Sequence, residues 1–156
     1  MGFRRYNKES LKKFLKYLFL FHFGGGTYTA IELLYRNKTY IQMYVLGGIC
    51  FLLCGLLNEF YKWDMDLIKQ TLFGGAIVTF LEFTTGMIFN VWLKMNMWSY
   101  ADLKYNIFGQ IAPQFIIVWI FLSLVAIVMD DVIRWKFFGE EAPRYWIGNK
   151  LIEFKD

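Results

Sequence analysis

Two carboxylates stand where the surrounding sequence offers them no water. Glu82 has apolar sequence on both sides, and Glu32 lies in an earlier apolar run with Arg36 four residues on. A charged side chain at the centre of a membrane helix costs on the order of 3 kcal/mol on insertion scales. Such a group must face protein or water, carry a proton, or hold a cation. Spacing reads out the helix face of Glu82: Gly75, Thr79, Thr85 and Gly86 lie on it. Small and hydroxyl side chains above and below a carboxylate let a second helix approach and give it hydrogen bonds. Gln110 and Gln114, four apart around Pro113, bring amides to another apolar segment, where the proline is expected to bend the helix and free a carbonyl. Two readings of this set stand side by side. One is a substrate or ion site lined by Glu82, Thr79, Thr85, Gln110 and Gln114, with Glu32 as a further member. The other is helix packing through interhelical hydrogen bonds, with Glu32 and Arg36 as a structural ion pair.

Other chemistry finds little support. His22 is the single histidine, and with no second His and no favourable cysteine spacing no metal site is expected. Cys50 and Cys54 fall on one helix face, too far apart along a regular helix for a relaxed disulfide, and read as small buried packing residues. No phosphate-binding loop, nucleophile elbow, zinc-protease motif or dinucleotide fingerprint occurs. No enzymatic activity and no cofactor are expected.

The elements that position these groups follow from composition. Of 156 residues 57% are hydrophobic and 21% aromatic, with two prolines, above the roughly 45–50% apolar content of soluble domains. An all-α membrane protein forming a single domain over residues 1–156 is the expected class. A crossing helix needs about 20 mostly apolar residues, and four segments qualify: 17–35, 40–57, 71–93 and 107–129. A basic amphipathic helix at 1–16 precedes them, and a tail at 130–156 follows.

The net charge of +4 is a matter of topology. Thirteen of the 17 lysines and arginines lie in the arm, the second connection and the tail, against four in the first and third connections. The positive-inside rule then puts both termini in the cytoplasm of a multi-pass protein, in the plasma (inner) membrane. The arm from Arg4 to Lys16 reads as a surface for anionic lipid in the bilayer and not for nucleic acid. Asn58-Glu59 and Asp130-Asp131, closing the second and fourth spans, read as solvated membrane ends, with Arg134 or Lys136 near enough to pair with the aspartates. The connection from Glu59 to Gln70, with Trp63, Met65, Leu67 and Ile68, is amphipathic.

An internal repeat overlies the spans. Phe23-Gly24-Gly25, Thr29 and Glu32 recur at an offset of fifty as Phe73-Gly74-Gly75, Thr79 and Glu82, so both copies read F-G-G-x-x-x-T-x-x-E. Two parallel two-helix repeats are expected, spans one and two pairing with spans three and four.

The stretch from Leu81 to Trp119 carries a resemblance. Leu81-Glu82-Phe83, Trp98-Ser99-Tyr100-Ala101-Asp102, Asn106-Ile107-Phe108-Gly109-Gln110-Ile111 and Trp119 together resemble the ABC-transporter type IV (CmpB-like) membrane family, with its L-E-[YF], W-x-Y-[SA]-D and N-x-x-G-R-I elements and following Trp. Glu32 and Asn37-Lys38 match it more loosely. Gln110 stands where the family usually has Arg, and Met43-Tyr44 where it often has Gly-Pro. A family arginine that reads a ligand's negative charge would therefore have no counterpart here.

The resemblance implies a permease-like transport component. Four spans leave little room for a complete transport path, and glycine-rich faces favour self-association. Such a component would therefore work as a homo-oligomer or with a separate ATPase or other soluble subunit. The competing expectation is a membrane adaptor that moves no solute and docks a partner through Lys12, Lys13 and the Trp63 loop.

Overall fold

The structure, a computed structural model, describes residues 2–61 and 65–155, with residues 2–7 as backbone only. Trp63 and its two neighbours therefore lie outside the described residues. The chain is mostly helical. Helix α1 spans Gly2–Arg36, α2 Ile41–Tyr61, α3 Leu67–Gly86 and α4 Pro113–Phe138. A π-helical turn, Met87–Trp92, prolongs α3, and strands β1 (Arg144–Ile147) and β2 (Lys150–Glu153) form an antiparallel hairpin. The expected basic arm is not a separate element, because α1 runs without interruption from it into the first apolar segment.

Local chemistry sets the helix ends. Asn37 takes a left-handed conformation (φ 52°) behind α1 and donates its N–H to Leu33. The Asp66 carboxylate caps α3 by accepting from the Ile68 N–H at 2.9 Å. Gly139, at φ 68°, closes α4, with amides returning to Arg134 and Trp135.

Pro113 corrects the sequence reading: it opens α4 and bends nothing. At the first helical position a missing N–H costs nothing, and the fixed φ of proline suits a helix start. The apolar residues before it, read as the start of a span at 107, belong to a loop in which Ile107 bridges Ile111 and Phe108 and Gly109 are left-handed. Helix α4 then runs on to Phe138, past the Asp130-Asp131 pair.

Among the described residues three helices are long and apolar enough to cross a membrane: Ile41–Tyr61, Leu67–Trp92 and Pro113–Phe138. Helix α1 falls outside that set, since its apolar half contains His22, Gly24 to Gly26, Thr27, Thr29 and Glu32.

Burial differs from that of a water-soluble protein in the large apolar side chains left exposed and the polar ones buried. Leu34 is 89% exposed, Ile117 69%, Phe80 67% and Phe121 63%, while Asp130, Gln70, Ser123 and Glu82 are at most 2% exposed. Large apolar side chains turned outward, with these polar groups buried as well as Leu20, Met43 and Ile127, suit hydrocarbon as the solvent.

Helix α1 packs mainly on α2, and α3 mainly on α4. In each case a glycine permits the approach. A Cβ on Gly24 would fall 2.2 Å from Phe51 Cβ on α2, and one on Gly75 would fall 2.5 Å from Ile120 Cγ1 on α4. The first and third connections gather at one end of the bundle. At the other end Lys16 of α1 meets Glu140, Arg134 of α4 meets Glu59 of α2, and Gly148 of the hairpin donates to Asp66 at 2.5 Å.

Candidate functional site

On α3 the buried positions Leu67, Thr71, Gly75, Glu82 and Gly86 recur at helical spacing, so one stripe faces the bundle. The contact at Gly75 draws α4 close, which brings Trp119 of α4 to Glu82. Trp119 Nε1 donates to Glu82 Oε2. The second carboxylate oxygen accepts from the Tyr100 hydroxyl at 2.8 Å.

Tyr100 arrives on the loop between the π-helical turn and α4, and Asn90 of that turn organises the loop. Its Nδ2 donates to Trp98 O at 3.1 Å and to Gln110 Oε1 at 2.8 Å, while its Oδ1 accepts from the Met97 amide at 2.6 Å. The Tyr100 amide then bonds to Gly109 O at 2.8 Å. Burial and the neighbouring Glu82 push the Tyr100 hydroxyl well above the ordinary phenol range, so it stays a donor. Glu82 is thus held by two neutral donors, one from a loop and one from a helix.

Glu32 of α1 is also buried, and accepts from Arg36 Nη2 and from Thr39 Oγ1, the latter at 2.6 Å. Arg36 Nη1 in turn donates to Met97 O at 2.7 Å, which ties the end of α1 to the Tyr100 loop. Glu32 and Glu82 line one cavity of about 680 Å³. Tyr28, Trp98, Tyr100, Phe115 and Trp119 give it aromatic walls, and Gln114 lies on its rim.

The structure therefore brings Glu82, Glu32 and Gln114 together. It separates the rest of the predicted set. Thr79 donates its hydroxyl to Gly75 O at 2.7 Å, and neither it nor Thr85 lines the cavity. Gln110 does not share a helix with Gln114, because α4 begins only at Pro113. It is a buried loop residue whose Nε2 donates to Phe108 O at 3.0 Å, and Trp98 Nε1 donates to its backbone carbonyl at 3.2 Å.

Residues 8–147 match the model of the family described as "Putative ABC-transporter type IV". The chain belongs to that family. No curated protein and no solved structure matches it. With three helices apolar enough to span, membership makes this an integral membrane protein whose architecture fits a transport-related role. The stretches that carried the resemblance prove to be in mutual contact. Glu82 of the first, Tyr100 of the second and Trp119 form the carboxylate site, while Trp98 and Gln110 brace the loop that delivers Tyr100.

A second polar centre stands where the sequence suggested a solvated membrane end, and the expected pairing with Arg134 is present. Asp130 and Asp131 are 0% and 4% exposed, not solvated. Asp130 accepts from Arg134 Nε one turn on, and Arg134 Nη1 reaches Glu59 Oε1 at 2.8 Å. Asp131 accepts from Asn58 Nδ2 and, at 2.7 Å, from the Tyr145 hydroxyl of β1. Burial, with Asp131 beside it, pushes the Tyr145 hydroxyl far up, so it too remains a donor.

Asp131 is covered by Tyr145 of β1, which the turn at Gly139 brings back against α3, and Asp130 lies against Gly55 of α2. The sequence held one signal for this centre, the i,i+4 spacing of Asp130 and Arg134. His22 has an ordinary partner in the Tyr44 hydroxyl, and both cysteines are free.

Proposed function

We propose that the chain is a small permease-like subunit in the plasma (inner) membrane, binding or moving a small solute or ion through the cavity beside Glu82. One observation carries the reading: a buried carboxylate on a spanning helix lines a cavity of about 680 Å³, and its two hydrogen-bond donors come from the stretches that carry the family resemblance. Small-molecule sites are typically concave, mostly apolar and about 300–1,000 Å³ in volume, with few fixed polar groups.

In this reading the apolar part of α1 is a fourth span, and both termini lie in the cytoplasm with the excess of basic residues. The two hairpins α1–α2 and α3–α4 are parallel repeats. Their support is the shared F-G-G-x-x-x-T-x-x-E pattern, the glycine contact onto the following helix in each, and the meeting of both glutamates at one cavity. Four spans leave little room for a complete alternating-access path, so the chain works as a homo-oligomer or with a separate ATPase subunit.

The test is Glu82→Gln in proteoliposomes loaded with candidate solutes and assayed for flux. Loss of about tenfold or more, with elution volume and melting temperature near wild type, is expected for a lost charge-dependent contact of about 1.4 kcal/mol. Unchanged flux and binding in the folded variant would sink the reading.

A further inference from the structure

We propose that the Glu82 cavity takes an organic cation, an alkylated ammonium with its charge spread over small apolar groups; this rests on the reading of that cavity as a solute site. The charged side chains lining it are Glu32, Glu82, Asp102 and Arg36. Arg36 is engaged by Glu32 and the Met97 carbonyl. Glu82 accepts its hydrogen bonds from the neutral donors Tyr100 and Trp119, and the cavity's one guanidinium, Arg36, bonds Glu32 instead. With three carboxylates against one guanidinium, the wall repels anions and favours a cation.

The rings decide which kind of cation. Tyr100 stacks on Phe115 with centroids 4.2 Å apart, Phe115 lies 6.2 Å from Trp119, and Trp119 lies 6.2 Å from Tyr28. Four aromatic side chains thus run continuously beside the carboxylate. Ring faces carry negative potential and attract cations that shed water readily, as quaternary ammonium groups do. A metal ion would instead need several oxygen, nitrogen or sulfur ligands at short range. Among the described residues no group of three or more His, Cys, Asp or Glu side chains is placed to hold one. A cavity of about 680 Å³ leaves room for an ammonium with substituents.

The same chemistry is offered by a free solute and by a lipid headgroup, and the test separates them. The purified full chain in maltoside micelles is titrated with choline and with tetraethylammonium, binding being read by calorimetry. The control ligand is the neutral isostere of choline in which a quaternary carbon replaces the nitrogen. At least one of the two ammonium probes should bind saturably below about 10 mM, with the isostere at least tenfold weaker than choline if choline is the binder. Glu82→Gln should weaken binding about tenfold or more, and Phe115→Leu by about 2- to 30-fold. Excess sodium chloride and potassium chloride should displace the probe only weakly.

Repeating the titration in nanodiscs assigns the source: suppression by phosphatidylcholine but not by phosphatidylglycerol points to a headgroup, and equal binding in both points to a free solute. Binding of the isostere as tight as that of choline would overturn the cation class while leaving the solute site standing. Absence of ammonium binding, with Glu82-dependent flux of a neutral or anionic solute, would do the same. Absence of ammonium binding together with flux indifferent to Glu82→Gln would remove both. The comparison of choline with its isostere uses only the native chain, so it holds even where a variant fails to fold.

Discussion

Replacing Arg134 by methionine should be among the most damaging single changes to the stability of this protein. Arg134 is 3% exposed and Asp130 is 0% exposed, so the pair is shielded from solvent screening. The guanidinium bonds Asp130 through Nε, reaches Glu59 at 2.8 Å and Glu140 at 3.8 Å, and lies 5.4 Å from the Tyr17 ring centroid. Methionine keeps most of the packing volume and removes the charge. Asp130 would then be a buried carboxylate without its cation, and Asp130 Oδ1 already lacks a hydrogen-bond partner.

Nor can Asp130 retreat, because its carboxyl carbon lies 2.1 Å from where a Cβ on Gly55 would sit. Removing one partner of a buried ion pair costs about 3–5 kcal/mol. At roughly 2–4 °C per kcal/mol for a chain of this size, the melting temperature should fall by about 6–20 °C. The measurement is thermal unfolding in one detergent at a fixed heating rate. Arg134→Met combined with Asp130→Asn should cost less than the sum of the single changes, by about 0.5–3 kcal/mol. A drop of under about 2 °C for Arg134→Met, or strict additivity in the double variant, would show that the buried pair does not stabilise the fold as argued.

Trp119→Phe retains an aromatic ring and deletes one of the two donors to Glu82. It should cost about 1.5–3 kcal/mol, and Tyr100→Phe should behave alike, both read as melting temperatures beside ligand affinity. Gly24→Ala would place its Cβ 2.2 Å from Phe51 Cβ on α2. Forcing the two helices apart should lower stability by about 1–3 kcal/mol, whereas Gly26→Ala, with nothing within 4 Å, should be neutral or slightly stabilising. Asp66 is held below the usual aspartate range by the amide of Gly148 and then by that of Ile68. A carboxylate depressed on folding stabilises above its unfolded pKa and loses that contribution as pH falls through the folded one. The Gly148 amide shift in NMR should therefore titrate below the ordinary aspartate range and be flat with pH in Asp66→Ala.

The parts of the fold legible in the sequence are those set by local apolar density. Helices α2 and α3 fall where hydropathy put spans, since both segments are continuous apolar runs. Helix α4 was misplaced by six residues at its start for a physical reason: Ile107, Phe108, Ile111 and Ala112 are as apolar as a helix needs. Hydropathy cannot see that Asn106 accepts from the Gly109 amide at 2.9 Å and ties its own amide to Leu103 O, which makes a turn. The proline read as a bend was the start signal. At the far end, Asp130-Asp131 looked like the point where the chain meets water. Tyr145, 14 residues beyond Asp131, and Gly55 of α2 against Asp130 decide otherwise, and burial produced by distant segments leaves no trace in local spacing.

Glu82 was legible because a carboxylate in an apolar run needs a partner wherever the chain places it. Which partner it found was not. Hydroxyls and amides on the same or the next helix, Thr79, Thr85 and Gln110, were the obvious candidates by residue type. Yet Thr79 is within reach of its own Gly75 carbonyl, the usual fate of a hydroxyl inside a helix. Gln110 is occupied by Asn90 and Phe108. The carboxylate is left to Tyr100 and Trp119, which hydropathy counts as apolar and which each carry one donor on a large ring. Aromatic donors satisfy a buried charge without adding further charge or an exposed amide, and both side chains also line the cavity. The same use of aromatic residues that hides the partners of Glu82 from a search for polar residues is what the proposed preference for a cation with an apolar surface rests on.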